Sequence, residues 1–98
     1  MSDAAPDQMI RPEARPRLAS KVRVQTDKVS GKPALLYPEG VLLLNPTGAA
    51  IIELCDSQNT FAEIVTTLAG RYNAPPDAVS VDVAEYLGRL RERGLVKF

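Results

Sequence analysis

The side chains able to do chemistry are few, and their spacing gives catalysis little to work with. The chain of 98 residues contains no His, which removes the side chain most often used as general base, metal ligand and pH switch. Its one Cys, Cys55, cannot close an internal disulfide, and a structural zinc site wants about four Cys or His ligands. Cys55 sits among Ile51, Ile52 and Leu54, a setting in which a free thiol behaves as a small buried hydrophobe. Asp77, Asp82 and Glu85 lie near one another, but at the start of a predicted helix they read as a solvated acidic end favoured by the helix dipole rather than a metal site. Tyr37 and Tyr72 fit the amphipathic margin of a core better than a stacking platform. No GxxxxGK[ST], GxGxxG or GxSxG is present, so phosphate-cradling loops and a nucleophile elbow lack their signatures. A binding protein without catalytic residues, metal or cofactor is the expectation.

Composition narrows the partners. Twelve Lys and Arg balance twelve Asp and Glu for a formal net charge of zero, whereas nucleic-acid binders usually carry a basic excess or stripe. Hydrophobic residues make up 45% of the chain, enough for one small core. The longest apolar run is four residues, far short of the roughly 20 of a membrane span or the h-region of a signal peptide. A cytoplasmic protein with no membrane partner is expected.

Periodicity supplies the elements. Residues 1–16 carry Pro6, Pro12 and Pro16 without an apolar period and are expected to form a flexible arm, leaving 17–98 as the folded domain. Val22 and Val24 alternate with Lys21, Arg23 and Gln25 as in a half-buried strand. Ala34–Tyr37 and Val41–Leu44 form two more, separated by the turns 27–32 and 38–40. Short connections make this an antiparallel meander with the second strand central. Asn45 or Thr47 can cap a first helix with Pro46 near its opening turn. Thr60 with Glu63 reads as a capping box for a second helix, whose Phe61, Ile64, Val65, Leu68 and Tyr72 form one stripe. A third helix begins near Asp77 or Ser80, turns Val79, Val83, Tyr86, Leu87 and Leu90 to one face, and stops at Gly94, a left-handed cap position. The tail 95–98 is apolar enough to dock. The fold class is α+β: a three-stranded antiparallel sheet followed by three helices, close to a winged-helix plan.

The third strand is the unusual one. Val41, Leu42, Leu43 and Leu44 do not alternate with polar residues, so both of its faces are apolar. It lies at a sheet edge with no Pro or Lys inside it to discourage pairing, which makes it a template for a strand from another chain. The tail or the arm of the same molecule, or a second copy, could equally cover it. On the third helix, Ala84 and Gly88 lie together beside the Val83/Leu87 stripe, with Arg91 continuing the column. A groove between that face and the third strand would be apolar with an Arg at its rim, although close packing within the domain explains the small residues too. A DNA-binding winged helix is the rival, yet the end of the third helix that would enter the groove carries Asp77, Asp82 and Glu85.

Taken in order, Leu36-Tyr37-Pro38-Glu39-Gly40, Leu44-Asn45, Thr47-Gly48, Leu54-Cys55-Asp56, Thr60 with Glu63-Ile64, Val81-Asp82-Val83, Leu87-Gly88-Arg89-Leu90 and Gly94-Leu95-Val96 resemble the PqqD family of pyrroloquinoline quinone biosynthesis across 17–98. Where the family usually has Gly after Cys-Asp, this chain has Ser57. The resemblance implies a winged-helix peptide-recognition domain that binds the precursor peptide PqqA and presents it to the radical-SAM enzyme PqqE. It further implies that the peptide adds as a strand to Val41, Leu42, Leu43 and Leu44 in a cleft against Ala84, Leu87, Gly88 and Arg91. A homodimer formed through the same edge is the structural alternative. If a peptide binds there, Leu42 or Leu43 should matter more to it than Arg91.

Overall fold

A computed structural model describes residues 10–98 as five strands and three helices. In chain order they are β1 (Arg17–Leu18), β2 (Arg23–Thr26), β3 (Pro33–Tyr37), β4 (Gly40–Leu43), α1 (Pro46–Glu53), α2 (Phe61–Tyr72), α3 (Pro76–Glu92) and β5 (Val96–Lys97). Polar turn residues fold the meander. The Asp27 carboxylate accepts from both the N–H and Oγ of Ser30, and Gly31 supplies a φ of 73° that few other residues tolerate. Pro38-Glu39 then joins β3 to β4, with Tyr37 facing Gly40 across the ladder. The resulting antiparallel sheet has the order β2-β3-β4.

Capping sets the helices as expected. Asn45 caps α1, its Oδ1 accepting the Gly48 N–H at 2.6 Å, and Pro46 occupies the first turn, where its missing N–H loses nothing. The capping box of α2 is complete, with Thr60 and Glu63 each accepting the other's backbone N–H. Only α3 lacks a side-chain cap: it starts behind Pro75, with Pro76 in its first turn. Gly94, φ 76°, turns the chain after its end.

The helices cover one face of the sheet. Leu35, Ile64 and Leu87 are fully buried, joined by Leu44, Ile51, Leu68, Val83 and Leu90 in one core. This layer reaches Leu35 and Leu42 but stops short of Val24. The expected half-buried first strand is therefore exposed at all four residues of β2, Val24 at 47%, because β2 is the border strand that the helices do not cover.

A second sheet, absent from the sequence reading, joins the two ends. β1 pairs antiparallel with β5, and the tail docks through buried Leu95 and Val96. Residues 1–9 of the expected arm lie outside the described residues. Residues 10–16 do not behave as the proline content suggested: Pro16 is fully buried, Ile10 packs on the core, and the carbonyls of Pro12 and Ala14 accept the N–H groups of Ala62 and Phe61 at 3.0 and 2.7 Å. The first turn of α2 has unpaired N–H donors, as every helix start does, and a proline-rich segment still has carbonyls to offer them. Among the described residues no helix is long and apolar enough to cross a membrane.

Candidate functional site

The site begins with how β4 divides its groups. Leu42 packs against the core and Leu44 is 3% exposed, while Val41 and Leu43 are 60% and 57% exposed. The strand is thus apolar front and back, as its sequence implies. It ends at Leu43 rather than Leu44, though the Leu44 N–H still donates to the Pro33 carbonyl at 3.0 Å. Antiparallel hydrogen bonding alternates along a strand, so Leu42 and Leu44 direct their backbone groups to β3. The N–H and C=O of Val41 and Leu43 point away from it, to an edge where β4 has no further strand among the described residues. The border at β2 differs: Arg23 and Gln25 within it, and Lys21, Asp27 and Lys28 beside it, are the charged and polar groups that discourage a foreign strand.

A cleft of about 210 Å³ runs between this edge and α3. Leu42 and Leu43 form its strand wall, and Tyr86, Arg89, Leu90 and Arg93 its helix wall, with Asn45 at one end. Ligand pockets usually hold about 300–1,000 Å³; this cleft is small enough for one or two side chains of an extended chain. Its floor is apolar, through half-buried Leu42 and buried Leu90. The Arg89 guanidinium lies 6.0 Å from the centre of the Tyr86 ring. Arg93 Nη2 donates to the Tyr37 hydroxyl at 3.1 Å, tying the end of α3 to the β3–β4 turn. Burial raises the pKa of the Tyr86 phenol, against the opposing pull of the Arg89 charge and with a smaller push from Cys55.

The expected residues divide between two places. Leu42 and Leu43 line the cleft; Val41 and Leu44 flank it on the outer and inner faces of the sheet. Ala84, Leu87 and Gly88 are buried within the domain and do not line it. Arg91 turns to the other side of α3, where its guanidinium stacks 4.4 Å from the Phe98 ring, beside Arg17 and Lys97. At about 100° per residue, Ala84, Gly88 and Arg91 lie on one flank of the Val83/Leu87 stripe, and Tyr86, Arg89 and Arg93 on the opposite flank. Helical periodicity finds the stripe but not which flank meets the sheet. For that reason the spacing puts Tyr86 and Leu90 on the core face and leaves Arg89 and Arg93 without a place, although all four line the cleft; an aromatic among three arginines is the signal that could find them. Cys55 is buried, its Sγ donating to the Ile51 carbonyl at 3.3 Å, and no group of metal-ligating side chains occurs among the described residues.

Comparison with known proteins places this architecture. Residues 34–96 match the family described as coenzyme PQQ synthesis protein D (PqqD). The chain is 34% identical over 88 residues to a PqqA binding protein of Methylococcus capsulatus, covering 90% of this chain and 92% of that one. In three dimensions it is similar to the PqqD portion of Methylobacterium extorquens PqqCD, described as a stand-alone recognition element for ribosomally synthesized and post-translationally modified peptides (TM-score 0.78, 28% identity, covering 94% of this chain and 98% of that one). The fold is also that of lasso peptide synthetase B1, whose structure was solved with a leader peptide (TM-score 0.74, 24% identity, covering 87% of this chain and 100% of that one).

Proposed function

The chain belongs to the PqqD family, and from that premise we propose that it is a peptide-binding chaperone of pyrroloquinoline quinone biosynthesis that takes up the precursor peptide PqqA and delivers it to the radical-SAM enzyme PqqE. The observation that carries this reading is the open border of β4. Val41 and Leu43 offer two N–H donors and two carbonyl acceptors to an added strand, beside a cleft that accepts alternate side chains. Backbone pairing supplies sequence-tolerant affinity and the cleft supplies selection. At about 0.5–1.5 kcal/mol net per hydrogen bond, four bonds alone do not offset the ordering of a free peptide, so burial against Leu42, Leu43 and Leu90 must contribute.

An amide chemical-shift map of the protein titrated with PqqA tests this. The largest shifts are expected at residues 41–45 and 86–93; shifts centred on β2 or on the β1–β5 pair would overturn it. Sedimentation with and without PqqA tests the competing occupant, since a second copy paired at β4 would be displaced by the peptide.

A further inference from the structure

Among the described residues, the cleft is lined by two cations and no anion. Arg89 and Arg93 line it, and none of its other lining residues is Asp or Glu. Among the described residues neither guanidinium has a carboxylate at ion-pair distance; the ion pairs, Arg11 with Glu13 and Arg71 with Glu53, lie elsewhere. Among the described residues, the Arg93 side chain is held by a neutral partner, the Tyr37 hydroxyl, and that of Arg89 by the face of Tyr86. In a chain of zero net charge, two unneutralised guanidiniums above an apolar floor favour a carboxylate from outside, which a planar fork of donors binds better than a lysine would.

Geometry gives the spacing. Arg89 and Arg93 are one turn apart, about 6 Å along α3 at 1.5 Å per residue. Side chains on the same face of an extended peptide repeat every second residue, about 6.8 Å apart. A peptide paired with β4 therefore presents residues i and i+2 to the cleft together, one over Leu42 and Leu90 and the next within reach of an arginine. Resting on the strand-addition reading, we infer that Arg89 and Arg93 are specificity residues that select an acidic side chain two positions from an apolar anchor in the bound peptide. Residues on the peptide's other face meet the outer side of the sheet at Val41 and are not read by charge.

The experiment is a set of titrations by calorimetry. Synthetic PqqA and a copy with every Asp and Glu changed to Asn or Gln are titrated into the wild type, R89Q/R93Q, and K28Q/K97Q, which removes the same charge elsewhere. Exposed ion pairs are individually weak, so loss of both arginines in R89Q/R93Q should weaken PqqA binding about three- to tenfold, and K28Q/K97Q should bind within about twofold of wild type. The neutralised peptide should bind wild type and R89Q/R93Q equally, and the wild-type advantage for PqqA should shrink as salt rises. If R89Q/R93Q binds PqqA as tightly as wild type while L42D does not bind, the acid-reading inference fails and strand addition stands. If neither set of changes affects binding, or wild type does not bind PqqA, both fail.

Discussion

The hydroxyl end of Tyr86 on α3 rests against the α carbon of Gly48 in the first turn of α1, with no room for a side chain between them. A Cβ at position 48 would overlap the hydroxyl, and would crowd the ring Cζ at 2.9 Å and Asn45 Oδ1 at 3.1 Å. The same Asn45 oxygen caps α1 through the Gly48 N–H, and Asn45 and Tyr86 both border the cleft. One glycine thus sets the helix cap and the position of the aromatic wall together.

Gly48→Ala should consequently damage the cleft more than the fold. The obstructing atom is the far end of a half-buried side chain that can swing outward, so a stability loss of about 1 kcal/mol is expected, near the low end for overpacking. The displaced ring would enter the cleft, and affinity for PqqA should fall severalfold in a protein that is still folded. Urea denaturation gives the first quantity and calorimetry the second. Full affinity with the Tyr86 ring resonances unmoved would contradict the account.

Val41→Pro isolates the backbone edge. The Val41 side chain is on the outer face and does not line the cleft, and its N–H points away from β3, so proline there removes a free donor and no ladder bond. Proline on the open side of an edge strand is tolerated. Binding of PqqA should weaken at least about tenfold, since an unpaired peptide carbonyl is also left at the new interface. Val41→Ala, which keeps the N–H, should bind within about threefold of wild type. Equal losses in the two variants would locate the effect in the side chain instead.

The range of the interactions involved decides which features the sequence spells out. Asn45, Thr60 with Glu63, and Gly94 act within a few residues of themselves, and the caps they form are those the chain spells out. The unbroken apolar run 41–44 marks β4 because a strand with one solvated face usually alternates apolar with polar residues, whereas Val41 and Leu43 leave its outer face both apolar and exposed. The β1–β5 pair joins Arg17 to Lys97 across almost the whole folded chain, and two-residue strands leave no period to detect. The flank of α3 that meets β4 depends on the relative rotation of two elements, on which the spacing of Val83, Leu87 and Leu90 is silent. Ala84 and Gly88, beside that stripe, are buried in the domain.

Ser57 offers a stabilising substitution. It adopts a φ of 67°, a left-handed conformation that costs a residue with a Cβ about 1–2 kcal/mol. The neighbouring Asp56 carboxylate accepts the N–H groups of Asn59 and Gln58 at 2.9 Å; these bonds hold its pKa below the usual value and fix the turn. Ser57→Gly removes the conformational cost but adds about 0.4–1 kcal/mol of unfolded-state entropy. A net gain of about 0.5–1 kcal/mol is expected, read as a higher urea midpoint at unchanged slope. A loss of stability would mean that the Ser57 side chain makes a contact more valuable than the strain it carries.

Cys55 gives the fold an alkaline limit. Burial, reinforced by the neighbouring Asp56 charge, pushes its thiol pKa from 9.0 up to about 12. Below about pH 8 the thiol is almost wholly protonated whether the chain is folded or not, and it adds little pH dependence. Between about 9 and 12 the unfolded chain releases a proton that the folded one retains, so the unfolded state gains and stability falls, by up to about 1.4 kcal/mol per pH unit. Lysines and tyrosines titrate in the same window, so the comparison needed is with Cys55→Val, which keeps the apolar volume without the ionisable group. The difference in unfolding free energy between the two proteins should be flat from pH 6 to 8 and should then move in favour of the variant from pH 9 to 11. Thiol labelling by a disulfide reagent at pH 8 should proceed no faster than unfolding, because the thiolate is the reacting species and the native state holds the thiol protonated against the Ile51 carbonyl. Labelling much faster than unfolding, or parallel pH profiles for the two proteins, would show that Cys55 is reachable by water in the native fold.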